Sequence, residues 1–472
     1  MLYALSTNSG LEGFAAQEVE SFLGASDVNT TESFVRFTSE CQACDLLNLR
    51  TVERAFAGLA CLDDSVMATF KERDATECME LIADAITPKA AAAALAAWRN
   101  ATQNTSNSFE PSFRVSCKRI GGRSKHLRST DIAAHVGISM RNKLGWRVDL
   151  KSYDMEVYVR VEDTFVFVGI SLSEQRLTDR KDIVVEGLRG SAAYALAMMA
   201  EPRPGDVILD PMCGKGALLF EAHRLCPAAL LVGTDMSNAQ LRAAAQNAIG
   251  TRSSHQAALF KGDARMLPLE SASIDRIVCD LPFGKKFGSA KDNRDLYPAV
   301  LRECTRVLRP SGRAVLLTSK KQLTTLLTAV HGQELHICRQ QRFKLGNTES
   351  TAVVVRHRRA GDPVIDPAEA ALDARARRKR NKAKRAANAR GGEYDDSSKR
   401  AKQPAQQAAA AAQGHKQEHE KRHEQEQQHK QDQDQDHEPG RIRLPQRQQR
   451  RQQQQQQAQG WGEFLQSSCV LS

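Results

Sequence analysis

Apolar and polar positions change their rhythm along this chain. From Met1 to about Ala60 short β-like runs flank one amphipathic helix: Tyr3-Ala4-Leu5, then Leu11 to Leu23, then Ser33 to Phe37. An Ala-rich stretch, Ala83 to Trp98, reads as a helix, and the polar NATQNTSNS segment, Asn100 to Ser108, reads as a turn-forming linker. Next, FRVSCKR (Phe113 to Arg119) predicts a strand, Gly121-Gly122 a turn and Thr130 to Leu144 a helix. Half-buried alternation over Val148 to Leu150, Glu156 to Val161 and Phe165 to Ile170 predicts three further strands.

Between Gly187 and Gly312 the alternation gives way to continuous apolar runs separated by helical stretches. The runs are VILD (Val207 to Asp210), LLVGTD (Leu230 to Asp235), IVCDLPF (Ile277 to Phe283) and AVLLTS (Ala314 to Ser319). Strands without a polar face, linked through helices, imply a parallel sheet covered on both sides. After about Ala360 large apolar residues almost vanish, leaving RARRKRNKAKR, an Ala/Gln run and QEHEKRHEQEQQHKQDQDQD. Burial in such a segment cannot offset its ordering entropy, so a disordered tail is expected, with its His residues solvated and not metal-bound.

Composition sharpens this division. The hydrophobic fraction of 41% is ordinary for a folded protein, so the low mean hydropathy of -0.48 is the tail's contribution. From residue 361 onward 21 Lys and Arg stand against 16 Asp and Glu, which accounts for +5 of the formal +11. The remaining +6 is spread over 360 residues, so a polyanionic partner would need a local basic patch. Cys41 and Cys44 form the single close cysteine pair and have no second pair at zinc spacing. Cys213, Cys279 and Cys304 fall in apolar segments and read as reduced, buried thiols of an intracellular protein. With no basic n-region before an apolar run and no 18-residue apolar stretch, the expectation is a soluble, unsecreted chain.

Two constellations carry the chemistry. The first is Asp210-Pro211-Met212-Cys213-Gly214-Lys215-Gly216, set between a buried strand and the helix Ala217 to Leu225. Glycines at such a bend let backbone approach a ligand, and the helix start offers free amides. A cofactor therefore fits against Asp210, Pro211, Cys213, Gly214 and Gly216. The next strand ends in Asp235, the position from which doubly wound folds grip ribose hydroxyls. A dinucleotide domain shares these features. However, the glycine pattern is D-P-x-C-G-x-G, not G-x-G-x-x-G, and a third acid, Asp263, closes the following strand beside Ala264. Acids at three successive strand ends suit S-adenosylmethionine, with Asp210 near the amine, Asp235 on the ribose and Asp263 on the adenine. Singly, each acid reads equally well as a helix cap or turn former.

The second constellation is Asp280-Leu281-Pro282-Phe283-Gly284. An exocyclic base amine is a weak nucleophile because its lone pair is delocalised, so a site must hold its N–H groups and align that lone pair. Asp280 and the Leu281 carbonyl can accept, Pro282 fixes the turn and Phe283 can stack on a base. Outside this company, Asp-x-Pro is an ordinary strand-to-turn sequence.

The ordered pair D-P-M-C-G-x-G and D-L-P-F-G resembles class I methyltransferases of nucleic-acid base amines. VCDLPFGKKFGSAKDNRDLYP and RVLRPSGRAVLLTS resemble, more narrowly, the THUMP-domain guanine-N2 methyltransferases of tRNA. FRVSCKRIGGRSKH, GWRVDLKSYDMEVYVRV, FVFVGISLSEQRLTDR and GLRGSAAYALAMMA match that family in the same order. The similarity spans about Met1 to Arg358. It implies an α/β chain with a ferredoxin-like part over 1–80, a THUMP module over 81–180 and a Rossmann-like methyltransferase domain over 181–360. Beyond these lies the tail, 361–472. It further implies tRNA held by its 3′ CCA end, methyl transfer at Asp280, Leu281, Pro282 and Phe283, and cofactor acids at Asp210, Asp235 and Asp263. A small zinc-binding activator subunit is the implied partner, and the cytoplasm, or the nucleus, the implied compartment. Lys215 departs from the small residues common at its position, placing a charge beside the cofactor.

Lys118, Arg119, Arg123, Lys125, His126 and Arg128 make a basic run without acids in the THUMP-like stretch, and Lys285, Lys286 and Lys291 flank the second constellation. Both are RNA-contact candidates; Arg375 to Arg385 reads as an unspecific RNA arm or a nuclear-import signal. Two alternatives stay open: methylation of a guanosine in small nuclear or ribosomal RNA, and a non-catalytic RNA-binding subunit.

Overall fold

The structure is a computed structural model that describes residues 1–104, 111–173, 175–179, 183–185, 187–284 and 292–363. The chain divides into two units, Met1–Arg378 and Lys379–Ser472, and every described residue lies in the first. The tail therefore falls outside the described residues from 364 onward.

The first half runs β1 (Leu2–Thr7), α1 (Glu12–Leu23), β2 (Ser26–Thr31), β3 (Phe34–Thr38), a short 3-10 turn, β4 (Val52–Leu62), α2 (Asp64–Thr69), α3 (Ala75–Asp84) and α4 (Pro88–Thr102). It continues with β5 (Ser112–Arg119), α5 (Ser129–Leu144), β6 (Arg147–Val148), β7 (Met155–Val161) and β8 (Val166–Ser171). All eight strands join one sheet in the order β2-β3-β1-β4-β8-β7-β5-β6. One core, including Leu5, Val35, Ala57, Ile82, Trp98, Val136 and Val157, runs beneath it from end to end. The two N-terminal modules are thus joined through β4 and β8, and residue 80 falls inside α3.

The expected helix over Ala83 to Trp98 is two helices. Thr87 accepts from the Ala90 amide and Pro88 opens α4, while Asp74 and Glu77 form a reciprocal capping box that starts α3 early. The strand expected at Val148 to Leu150 shrinks to β6, with Leu150 72% exposed. β4, missed in the sequence, is the longest strand of this sheet, and its inner stretch Ala55 to Ala60 is buried.

The second half holds α6 (Gly190–Ala200), β9 (Val207–Asp210), α7 (Ala217–Leu225), β10 (Leu230–Asp235), α8 (Asn238–Gly250), β11 (Ala257–Lys261) and β12 (Ile274–Asp280). It ends with α9 (Asp292–Val307), β13 (Leu308–Ser319), α10 (Leu323–His331), β14 (Leu335–Leu345) and β15 (Thr348–His357). The sheet order is β11-β10-β9-β12-β13-β15-β14. The first five strands are parallel, and β15 is antiparallel to both neighbours. As expected, the parallel part is covered on both sides. Leu196, Leu219, Phe220 and Ala248 of α6, α7 and α8 pack one face; Tyr297, Leu301, Leu326 and Val330 of α9 and α10 pack the other.

The halves meet along β14. Lys344 N donates to Ser9 O at 3.1 Å, Gln341 Nε2 to Gly10 O at 2.8 Å, and Leu11 and Phe14 enter the α6–α7 core. A Cβ at Gly10 would stand 2.1 Å from the Arg342 carbonyl oxygen, so glycine is what permits the approach. Glu53 of β4 is the polar counterpart. It accepts from Asn8 Nδ2 at 2.9 Å, Arg189 Nη1 at 3.0 Å and Thr178 Oγ1 at 3.1 Å. Among the described residues no single helix is long and apolar enough to cross a membrane.

Candidate active site

The chain passes from β9 outward through β10 and β11, then returns to the other side of β9 as β12 and β13. Connections therefore diverge above the carboxyl ends of β9 and β12, where open α/β sheets form their ligand crevice. Asp210 ends β9, Asp235 ends β10, Asp280 ends β12, and Asp263 stands two residues beyond β11.

The turn after β9 is built from its own backbone. Gly216 N donates to Cys213 O at 2.7 Å, Cys213 N to Thr234 O at 2.9 Å, and Thr234 Oγ1 to Pro211 O at 2.8 Å. Gly216 takes φ +80°, and a Cβ there would lie 2.3 Å from the Phe220 ring, so this position accepts only glycine without displacement. Asp235 joins the turn to β10: it accepts from Gly214 N at 3.0 Å and Ser237 N at 2.8 Å, leaving lone pairs for a ligand. Asn247 of α8 braces the outside, donating to Lys215 O at 3.0 Å and Val185 O at 2.9 Å.

Asp210 is buried and accepts from Met212 N at 3.1 Å. Burial, then the charges of Asp280 and Asp235, push its carboxyl well above the usual range, against the lowering effect of the Met212 amide. Burial likewise pushes the Cys213 thiol up, so it sits here as a packed, neutral group. Asp263 differs: Arg265 grips both its oxygens, at 3.0 Å and 2.6 Å, and holds its carboxyl below the ordinary value. Ala264 is buried beneath it.

Asp280 sits at the end of β12 with its Oδ1 buried and without a hydrogen-bond partner among the described residues. Desolvation pushes its carboxyl up to about 7. Leu281 points into the core, and its amide donates to Leu317 O at 3.0 Å. The Pro282 carbonyl is held from below by Asn293 Nδ2 at 2.7 Å and Tyr297 OH at 2.8 Å. Tyr297 OH also meets Thr318 Oγ1 at 3.0 Å. Phe283 is half-buried against the α6–α7 core.

Thr234, Asn247, Asn293, Tyr297 and Thr318 were absent from the sequence expectation. A signal existed for two of them: Asn293 and Tyr297 stand four apart at the start of a helix, hence on one face.

The basic run is less free than its sequence suggests, because the fold supplies acids from elsewhere. Arg123 Nη1 donates to Asp64 Oδ1 at 2.6 Å and Asp163 O at 2.8 Å. Arg128 Nε donates to Asp131 Oδ2 at 2.8 Å, and Arg119 Nη1 to Ser124 O at 2.8 Å. Lys118 and Lys125 remain exposed and lack a side-chain partner among the described residues. Lys285, Lys286 and Lys291 lie outside the described residues.

Comparison with known proteins agrees with this architecture. A THUMP domain model matches residues 83–171, and an RMKL-like methyltransferase domain model matches residues 179–350. The chain is 37% identical over 217 residues to the U6 snRNA (guanine-N(2))-methyltransferase THUMPD2 of Bos taurus, covering 46% of this chain and 42% of that one. It is 38% identical over 229 residues to the tRNA (guanine(6)-N(2))-methyltransferase THUMP3 of Mus musculus, 45% of each chain. The chain thus spans somewhat under half the length of these curated relatives. The crystal structure of TrmN from Thermus thermophilus superposes with a TM-score of 0.59 at 24% identity, covering 75% of this chain and 99% of that one. This chain carries a THUMP domain followed by an RMKL-like methyltransferase domain.

Proposed function

We propose that the protein transfers a methyl group from S-adenosylmethionine to the exocyclic N2 of a guanosine in tRNA. The observation that carries this reading is Asp280 Oδ1, a buried acceptor at the end of β12 without a partner among the described residues. An orphan acceptor costs free energy unless a ligand satisfies it, and an amine with two N–H groups does so. Asp210 and Asp280 also fit the cofactor, because their carboxyls are raised and a cationic ligand beside them would restore their charge.

When bound, S-adenosylmethionine supplies an electrophilic methyl group on a sulfonium centre. Asp210, the Cys213–Gly216 turn and Asp235 would hold it, and Asp263 would reach it once Arg265 gives way. Asp280 in its carboxylate form accepts an N–H of the base amine, turns the nitrogen lone pair toward the methyl site, and stabilises positive charge building on that nitrogen. The packed Leu281 side chain and the locked Pro282 carbonyl keep the turn from yielding. Phe283, half-buried, offers a ring for stacking, and Lys118 and Lys125 contact phosphates.

Labelled cofactor, total tRNA and nucleoside mapping test the reading. N2-methylguanosine is the expected product; N6-methyladenosine, or no product in the presence of partner, overturns it. The similarity to a U6 snRNA enzyme favours a second reading, a guanosine of small nuclear RNA, which the same assay with tRNA omitted distinguishes.

We infer a small zinc-binding activator subunit as partner. Among the described residues edge strand β11 has no neighbour on its outer side, and Met236 after β10, Ile249 of α8 and Met266 after β11 are 63%, 70% and 77% exposed. Full activity of the isolated chain refutes this. A tRNA substrate fits a cytoplasmic protein with access to the nucleus, which a tagged copy would locate.

A further inference from the structure

Asn293 opens α9, is fully buried, and has a side chain with two unlike ends. Its Nδ2 donates to the Pro282 carbonyl at 2.7 Å, which fixes the amide's orientation, since only the nitrogen end can face a carbonyl. Its Oδ1 is left buried and without a hydrogen-bond partner among the described residues. The oxygen of an amide lies roughly 2.3 Å from its nitrogen, so this acceptor stands within about 5 Å of the Pro282 carbonyl. Asp280 Oδ1, two residues before Pro282, is a second buried acceptor in the same state. Meanwhile Asn293 and Tyr297 together take up the Pro282 carbonyl. That removes it from the acceptors a base could use. The turn therefore carries two orphan side-chain acceptors, and the Pro282 carbonyl is not available beside them.

Two buried acceptors set around one turn ask for two donors on one ligand. Guanine alone among the RNA bases presents adjacent donors on its pairing edge, N1–H beside the N2 amine; adenine and cytosine set a ring acceptor next to theirs. We propose that Asn293 is a specificity-determining residue whose Oδ1 accepts N1–H of the target guanine while Asp280 accepts from N2. This rests on the guanosine reading above and deepens it. Adenine in the same pose would bring its ring nitrogen against Asn293 Oδ1, leaving two acceptors face to face and a buried group unsatisfied.

A matched pair of substrates tests this: the target tRNA with guanosine, or with 2-aminopurine, at the methylated position. 2-Aminopurine keeps the N2 amine but has no proton on N1. For wild type, Asn293→Ala and Tyr297→Phe, kcat/KM is measured on both and the ratio taken within each protein, so that partial loss of folded protein cancels. Asn293→Ala is expected to lose about 10- to 100-fold on guanosine, with 2-aminopurine changed much less, so that discrimination collapses. Tyr297→Phe, which removes one donor to the Pro282 carbonyl and the Thr318 contact but leaves Asn293 Oδ1 in place, is expected to lower both substrates equally and keep the ratio. Equal losses on both substrates for Asn293→Ala, or no loss on either, overturn the assignment while the guanosine reading stands. A wild-type protein that leaves guanosine unmethylated in the presence of cofactor and partner overturns both.

Discussion

Replacing Asp280 by Asn removes a carboxyl that desolvation has pushed from 3.8 to about 7. A rise of about three units makes ionisation in the fold cost roughly 4 kcal/mol more than in the unfolded chain. The folded value lies above the unfolded one. The protein is therefore most stable below the ordinary carboxylate range and loses that stability as pH rises from about 4 to about 7. Between pH 5 and pH 9 the loss from this residue is roughly 2.5 kcal/mol. At about 2–4 °C per kcal/mol for a chain of this size, that is about 5–10 °C in Tm. The Asp280→Asn variant has no carboxyl to ionise at this position, so its Tm should fall less over the same range. The buried amide also lacks a partner, but that cost is independent of pH and displaces the curve without tilting it. Other ionisable groups cancel between the two proteins, apart from Asp210. Its raised carboxyl is due partly to the Asp280 charge, so the substitution relieves it too and widens the gap in the same direction. Thermal unfolding without cofactor at pH 5, 7 and 9 gives the comparison. Parallel curves for the two proteins, or a variant that falls behind wild type at high pH, would refute the argument that Asp280 is held against its ionisation. The same variant should be nearly inactive, which makes the residue a stability cost retained for function.

The activity of the wild type should rise with pH through about 7, because only the Asp280 carboxylate keeps both oxygens as acceptors; a kcat/KM profile flat from pH 6 to 8.5 counts against that role. Gly216→Ala forces a left-handed backbone onto alanine and its Cβ onto Phe220, so calorimetric titration should show cofactor affinity lowered at least 10-fold. Arg265→Ala frees both Asp263 oxygens, and if Asp263 contacts the cofactor, affinity should rise or hold; a fall of 10-fold or more would mean the ion pair itself shapes the site. Glu53→Ala strips three donors of their shared acceptor where the two halves meet and should cost roughly 2–3 kcal/mol, seen as a lowered denaturant midpoint.

What the sequence made legible follows the range over which each residue acts. Continuous apolar strands such as IVCDLPF report their own burial, so the parallel sheet and the strand-end acids at 210, 235 and 280 could be read directly. A carboxyl at a strand end needs no distant residue to place it there. The electrostatic state of each acid was not legible, because it belongs to neighbours: Arg265 pairs Asp263 from two residues on, Asp280 and Asp235 raise Asp210 across strands, and Asp64 reaches Arg123 from 59 residues away. Hence four acids that look alike in sequence divide into two raised carboxyls, one clamped carboxylate and one turn brace. The split helix at Thr87-Pro88 was legible in principle, since the cap and the proline are local; the Ala run masked it. Asn293 is the reverse case. Its spacing to Tyr297 predicts a shared helix face, yet nothing in that spacing says the face closes on Pro282, eleven residues back. In the proposed assignment, with the Pro282 carbonyl taken up by Asn293 and Tyr297, the base contacts come from side chains on either side of the turn. The proposed specificity of this site then rests on Asp280 and Asn293 together, one from the strand that ends in the crevice and one from the helix that follows it.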